Sequence, residues 1–512
     1  MSDEAPHLVL IVGNPVQHDA RVRKTALSAA SFGLRVTVVA LTGGDQQFEE
    51  EMGPVHVVNV PAEYLMKDRA NDLRRLRRRV LFPFGYGTLL AARAEARRRR
   101  LADLDLMVEA GRQTSLPESP RPVASTWSRA RRKAVKNGNR VRRKVVVART
   151  KIGRFYTGRR FPLNDRRAAR WYAQRPMGNW RRLLPEYLDL EIAFGPVLDE
   201  LDPDLIHAND VNMIGIASNA VDRARLRGRD IKWLYDAHEF VPGMSRYHAD
   251  RIAGMADHEQ EYIGRADAVL TVSEPIADAI RQRTGLPERP VVVLNTASGV
   301  RPADRPRPSV RAAADVPEDL PLLVYSGNID PDRGVTTLVQ SLAHLPADVH
   351  VVIVTNAPMD NRYIRTLVET AEGAGAAGRL HFAPYVPGEQ IIDYLSTGTI
   401  GVHGLNHVPN HEMALPNKLF DYLHAELPMV VSDVKAMAEF IRQLGVGEVY
   451  TAGDPASLAA AVRTVLGDLV RYRKALTADP EVLRRYSWER QEEILRGVYG
   501  RLLGRELAPI SR

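Results

Sequence analysis

The chain has no cysteine in its 512 residues, which excludes a disulfide framework, a thiolate metal site and a cysteine nucleophile. No apolar run approaches the ~20 residues a membrane-crossing helix needs, so any membrane contact is expected to be peripheral. The acidic start Met1-Ser2-Asp3-Glu4 leads straight into Leu8-Val9-Leu10-Ile11-Val12, a stretch too short and wrongly flanked for a signal peptide. Neither a Gly-x-Ser-x-Gly elbow nor a Walker phosphate loop occurs, so hydrolase and nucleotide-triphosphatase readings lack support. Solenoid-type repeats are also missing. A cytoplasmic location is expected, and the chain, 45% hydrophobic and 26% charged, reads as globular, too long for one ordinary core and therefore expected to hold two domains plus additions.

Charge is unevenly spread. The net charge is +9, yet residues 65–185 hold 34 Lys and Arg against 8 Asp and Glu. That segment carries +26 and the rest of the chain −17. Arginines there alternate with Leu81, Phe82, Phe84, Tyr86, Phe155, Tyr156, Trp171, Tyr172 and Trp180, a mixture suited to anionic headgroups with aromatic anchors at the interface. No recognised nucleic-acid motif accompanies it, which makes nucleic acid an unfavoured partner. A solvated insert without a partner is the plainer alternative.

Around this segment the pattern is regular α/β. Leu8–Val12, a Gly13-Asn14-Pro15 turn, a helix from Asp19 to Phe32 and Val36–Leu41 form a βαβ unit. Val55–Val60 adds a strand before the pattern breaks at about residue 64. It resumes after 185 with strands near His207, Tyr235, Ala268–Ser273 and Val291–Leu294. Residues 301–319, rich in Pro and Arg, read as a linker between a first domain of 1–300 and a second of 320–485. The second repeats the plan with Leu322–Ser326, Val349–Thr355, Arg379–Phe382, Thr399–His403 and Met429–Ser432. A final helix in 486–512 carries an apolar stripe of Ile494, Leu495, Val498, Tyr499 and Leu502, so it is expected to dock back toward the first domain.

The most informative stretch is Leu415-Pro416-Asn417-Lys418-Leu419-Phe420-Asp421, followed by the strand-like Met429–Ser432. Proline at a first helical position leaves no orphan N–H of its own, and the free amides after it sit at the positive end of the helix dipole. Lys418 and Asp421 share a face, the one suited to a phosphate and the other to a pair of hydroxyls. A helix start of this kind between strands points to nucleotide-sugar chemistry.

Six phrases in order resemble retaining glycosyltransferases of family 4, of GT-B fold. They are Asp19-Ala20-Arg21-Val22, Asp204-Leu205-Ile206-His207-Ala208, Tyr235-Asp236-Ala237-His238-Glu239, Ala266 to Ser273, Tyr325-Ser326-Gly327-Asn328 through Arg333-Gly334, and Pro416 to Asp433. The resemblance implies an α/β fold of two Rossmann-like domains facing across a cleft, with the basic segment inserted in the first and a C-terminal crossover helix. It also implies transfer of a sugar from a nucleoside diphosphate sugar, held mainly by the second half, to an acceptor on the first. A cell-envelope polysaccharide or lipid-linked acceptor at the inner membrane face fits the basic segment. The alternatives are a catalytically weak GT-B scaffold or surface binder and a sugar-nucleotide epimerase of the same fold.

Residue by residue, the resemblance assigns His238 and Glu239 to the reacting sugar and acceptor. Arg333 stands where a lysine usually grips the diphosphate, and Asn328 where an arginine is customary. Gly327, Asn417 and Lys418 complete the expected diphosphate cradle, and Asp421 takes the ribose. Leu415 and Pro416 are expected at the sugar. Met413 replaces the usual glutamate there, with Glu412 next to it as a substitute, and Glu426 replaces a usual glycine. Gly13, also expected at the donor diphosphate, allows close backbone approach to a ligand or is a plain turn glycine, and Asp19 reads as a helix N-cap. His207 is expected to line the cleft or pack. Asp202-Pro203-Asp204 reads as a turn rather than a metal motif, and no cofactor or metal is expected.

Overall fold

The structure, a computed structural model, describes residues 5–68, 180–245, 247–299 and 307–509, with His18 described by its backbone alone. The surface expected of residues 65–185 falls for its greater part outside these residues.

Two mainly parallel sheets organise the chain. The first runs in the spatial order β3-β4-β2-β1-β5-β6-β7-β8. Its strands are β1 (His7–Val12), β2 (Arg35–Thr42), β3 (Phe48–Met52), β4 (Val55–Pro61), β5 (Leu205–Asn209), β6 (Lys232–Ala237), β7 (Ala268–Thr271) and β8 (Val291–Val292). β1 is central because it is apolar on both faces, and all six of its residues are buried. From β1 the chain moves outward through β2 to β4, then returns to the other flank at β5. The basic segment occupies that return. Strand order therefore reverses between β1 and β5, where open α/β sheets bind ligands at their carboxyl ends.

The second sheet, β11-β10-β9-β12-β13-β14, is parallel throughout. It comprises β9 (Leu322–Ser326), β10 (His350–Val354), β11 (Leu380–Ala383), β12 (Ile400–His403), β13 (Met429–Ser432) and β14 (Gly447–Tyr450). Its reversal lies between β9 and β12. Helices cover both faces of each sheet, so each lobe has two apolar layers.

Three sequence expectations change. β3, Phe-Glu-Glu-Glu-Met, is an antiparallel edge strand that its charge hides from a hydrophobic pattern, and β14 was likewise not anticipated. The linker is shorter than 301–319, because Val310–Ala313 is helical and Val310, Ala314 and Val316 join the second lobe's core. Arg311 anchors it, donating to the carbonyls of Pro317 (2.5 Å), Leu320 (2.8 Å) and Thr397 (3.1 Å).

The last helix, Trp488–Leu503, lies on the first lobe. Trp488, Leu495, Val498 and Tyr499 pack with Leu8, Leu10 and Phe32, each such burial contributing about 1.5–3 kcal/mol. The two crossings between lobes are tied together. Trp488 N donates to Ala297 O (2.8 Å), Leu294 N to Gln491 Oε1 (2.9 Å) and Gly299 N to Glu489 Oε2 (3.0 Å).

Candidate functional site

In the first lobe, the carboxyl ends of β1, β5 and β6 deliver Gly13, Asp210 and His238 to the reversal point. Gly13 has no room for a side chain, since a Cβ would run into the Asn212 carboxamide. Asp210 adopts a left-handed backbone, φ +66°, which Asp tolerates better than most residues. Asp19 caps the Ala20–Ser31 helix through Val22 N (3.1 Å) and accepts from Asn14 Nδ2 (3.2 Å).

Beneath them sits a buried charge cluster. Arg21 forks onto Asp236, Nε to Oδ2 at 2.8 Å and Nη2 to Oδ1 at 2.9 Å, and gives its third bond to Val293 O at 2.9 Å. Burial alone would raise the Asp236 carboxyl pKa, but Arg21, then His238 and His207, hold it well below the usual range. His238 lies between two carboxylates, with Nδ1 3.3 Å from Asp210 Oδ1 and Nε2 3.5 Å from Asp236 Oδ2. Its burial opposes protonation, yet Asp210 and Asp236 lift it to about 9. Asp19, Asp210 and His238 each bring a ligand-type atom within 4.8 Å of the others. His207 packs rather than lining a cleft: it is fully buried and its Nδ1 meets Tyr499 Oη at 2.8 Å. Glu239 follows His238, half-buried and near enough to Asp210 to help raise that carboxyl after burial itself.

In the second lobe, β9 leads to Gly327 and β12 to Gly404. Gly334, φ +65°, precedes the Val335–Ser341 helix, and a Cβ on it would stand 3.0 Å from Gly404 O. The two loops at the reversal thus meet backbone to backbone. Asn328 contributes its carbonyl, which accepts from Tyr325 Oη at 2.6 Å. Arg333 Nε lies 2.9 Å from Asp330 Oδ2.

The helix Asn417–His424 begins one residue later than expected. Pro416 is its N-cap rather than its first helical residue, because ψ is 140° and therefore extended. The amides of Asn417 and Lys418 still open the helix. Lys418 Nζ reaches Asp421 Oδ2 at 3.1 Å and stands 5.2 Å from the Tyr385 ring centre. Burial works against its charge, but Asp421 and then Tyr385 raise its pKa. The residues expected for phosphate and ribose are therefore paired with each other. Glu412 is otherwise engaged than its expected sugar role requires: one oxygen meets His407 Nδ1 at 2.6 Å and the other accepts from Lys435 N at 2.9 Å. Leu415 packs at the margin of the second core.

The lobes touch at the expected sugar end. Phe240 N donates to Asn410 Oδ1 (3.0 Å), and Ser273 Oγ to the carbonyl of Met413 (2.7 Å), whose side chain packs on the first lobe. Lys24, on the first helix, donates to Asn295 Oδ1 (2.9 Å) and Thr296 O (2.5 Å) over the Trp488 ring. Burial takes it down to about 7, against the pull of Asp421, while Arg21 and Lys418 lower it further. The structure thus gathers Arg333, Lys418 and Asp421 in one lobe and Gly13, His238 and Glu239 in the other. Sequence reasoning missed Arg21, Lys24, Asp210, Asp236 and His403 as site residues. Arg21 and Asp236 stand inside phrases that carry the resemblance, and His403 is a polar residue ending an apolar strand, whereas nothing local marks Lys24 or Asp210.

Two Rossmann-like lobes that meet near the reversal points of their sheets, with the last helix returned to the first lobe, define a GT-B glycosyltransferase architecture. Comparison with known proteins narrows this. The glycosyltransferase family 4 model matches residues 123–297 and the glycosyl transferases group 1 model residues 320–468, together more than half of the chain. The chain belongs to the group 1, family 4 glycosyltransferases. The first match begins inside the basic segment, so the family pattern reaches into what the sequence suggested was wholly an insertion.

Among curated relatives, the D-inositol 3-phosphate glycosyltransferase of Xylanimonas cellulosilytica is 24% identical over 49% of this chain and 60% of its own length. TuaC of Bacillus subtilis, a glycosyltransferase provisionally assigned to teichuronic acid biosynthesis, is 22% identical over 46% of this chain and 54% of its own. The chain thus spans little more than half the length of the curated relatives it matches. Among solved structures, sucrose-phosphate synthase from Thermosynechococcus elongatus superposes with a TM-score of 0.59 at 15% identity, covering 98% of this chain and 99% of that one. Anabaena HepE in complex with UDP and glucose gives 0.50 at 17%, covering 64% and 84%.

Proposed function

We propose that the protein transfers a sugar, with retention of anomeric configuration, from a nucleoside diphosphate sugar to a cell-envelope polysaccharide or lipid-linked acceptor. The observation that carries this is that Arg333, past β9, and Lys418, at the start of the Asn417–His424 helix, both lie close enough to His403, at the carboxyl end of β12, to lower its pKa after burial itself. Fixed cations and helix-start amides there would receive the charge that develops on a departing diphosphate. Gly327, Asn328 and Asn417 line that cradle, Asp421 takes the ribose, and Leu415 and Pro416 border the sugar. The complex of HepE with UDP and glucose supports a nucleotide-sugar donor.

From the first lobe, His238 and Glu239 face the reacting sugar and acceptor. With both ring nitrogens directed at carboxylates, His238 offers its backbone carbonyl, and Glu239 is the adjoining carboxylate for an acceptor hydroxyl. The chemistry needs no metal, because cationic side chains and amides do the work a divalent ion would do. The basic segment 65–185 would hold the protein on an anionic inner membrane face at roughly 1 kcal/mol per nearby cation. No helix among the described residues is long and apolar enough to cross a membrane. TuaC's assignment supports an envelope acceptor.

The test is a panel of UDP-, GDP-, ADP- and dTDP-sugars, with slow donor hydrolysis and transfer to envelope extracts as readouts and NMR of the product anomer. Silence across all donors removes the proposal, and an inverted product removes retention. Lys418→Ala is expected to abolish donor binding; a scaffold would be indifferent. Flotation with anionic but not neutral vesicles is expected, and equal flotation on both ends the membrane reading.

A further inference from the structure

His403 ends β12 and is 1% exposed, yet neither ring nitrogen meets a hydrogen-bond partner among the described residues. Its neighbour shares the anomaly. The pairing of Gly401 with Val324, continued two residues, puts His403 beside Ser326, whose fully buried hydroxyl also lacks an acceptor or donor. Buried polar groups are nearly always partnered, and one that is not calls for a specific explanation such as a missing ligand. The position supplies one, because β9 and β12 flank the reversal of the second sheet, where ligands of such sheets bind.

The ring is held in place. Tyr325 stacks on it at 5.8 Å with an interplanar angle of 5°, and the Tyr325 hydroxyl is itself tied to the Asn328 carbonyl just past Gly327. It is also uncharged: burial, followed by Arg333, Lys418 and His411, drives its pKa down to about 3. A neutral imidazole carries one N–H donor and one lone pair. The two leading cations are those expected to face a diphosphate. His411, which also acts on the ring, belongs to the Pro409–Met413 helix at the expected sugar end of the site.

We propose that His403 is a donor-binding residue whose imidazole N–H bonds an oxygen of the sugar-bearing β-phosphate in the nucleotide sugar. The inference rests on the donor reading above and adds to it a group not assigned from the sequence. A neutral donor suits the place: Arg333 and Lys418 provide the charge, and a further cation in the same recess would be repelled by both. The hydrogen bond also satisfies one of the two ring nitrogens that the fold leaves without a partner, so binding relieves part of a burial penalty already built into the free protein.

The experiment is titration calorimetry of the full chain with UDP, GDP, ADP and dTDP and with the matching monophosphates. His403→Phe keeps a stacking ring of similar size but has no nitrogen. It is expected to weaken the preferred diphosphate about tenfold, the equivalent of one charge-assisted hydrogen bond, and the monophosphate less than about twofold. Undiminished diphosphate binding in the variant overturns this inference alone, as does an equal loss for both nucleotides, the mark of a merely structural role. A wild-type chain that binds none of the four overturns the donor reading and this inference together. Independently of how the Phe variant folds, the His403 ring nitrogens in 15N-histidine-labelled wild-type protein, assigned by their absence in His403→Gln, are expected to shift with the diphosphate and not with the monophosphate. Unmoved resonances at saturation overturn the inference.

Discussion

Arg21 and Asp236 are 3% exposed and fully buried respectively, and 215 residues apart in sequence. Removing one partner of such a pair leaves an uncompensated buried charge, so Arg21→Ala is expected to cost about 3–5 kcal/mol in denaturant unfolding. The double variant Arg21→Met, Asp236→Asn should recover most of that loss. His238 poses a pH question. Its pKa of about 9 exceeds the ordinary 6.5, so the folded state holds the proton more tightly than the unfolded state. The resulting stabilisation is fully present below about pH 6.5 and is lost as pH rises through 9. Lys24 slopes the other way. Its value is lowered from 10.5 to about 7, so the fold disfavours its proton and stability is regained as pH rises from 7 to 10.5. A comparison of wild type with Asp210→Asn isolates the histidine. The variant should lower the His238 pKa by about 1–3 pH units in an NMR titration and flatten the difference in stability between pH 6.5 and 9. At this scale the sequence was partly legible. His238, Lys418 and Asp421 stand in recognisable phrases; so do Arg21 and Asp236, but their pairing joins two phrases 215 residues apart that no local window contains.

Among elements, the helix Asn417–His424 shows how local rules and surroundings divide the work. Its proline-led start and its Lys418–Asp421 spacing were readable, but Pro416 turned out to be the cap, with an extended ψ of 140° as the chain passes from the Pro409–Met413 helix into this one. Just after the helix, Glu426 has φ +56°, the left-handed conformation in which glycine carries no Cβ penalty. The substitution that the resemblance flagged thus places backbone strain at a helix end. Glu426→Gly is expected to stabilise the protein by about 1 kcal/mol, read as a rise in unfolding midpoint, with donor affinity unchanged. β3 escaped notice for the opposite reason. Three consecutive glutamates read as solvated chain, and only the neighbouring β4 supplies the ladder that makes them a strand.

For the whole molecule, the question is how the two lobes meet. Gly243, in the loop beyond β6, faces the Asn410 backbone so closely that a Cβ would stand 2.8 Å from Asn410 N. Gly243→Ala should therefore hold the lobes apart without harming either core. The expected outcome is a larger radius of gyration by small-angle scattering and at least tenfold slower transfer, with the unfolding midpoint within about 0.5 kcal/mol of wild type. An unchanged radius with unchanged transfer would show that the contact is incidental to closure.

Sequence alone was enough for two α/β lobes, for most of their strands in chain order, and for the helix start that marks the second lobe's ligand end, which follow from apolar runs, caps and spacing within a few residues. The family came from the resemblance of six phrases taken together along the chain. It took packing in three dimensions to settle which charges neutralise each other, that Glu412 is engaged by His407 and Lys435, that the last helix, expected to dock back, sets Tyr499 on His207, and that His403, near Arg333 and Lys418, has no hydrogen-bond partner among the described residues. Those outcomes depend on burial and on distances between groups remote in the chain, and electrostatic energy is set by separation in space rather than along the sequence.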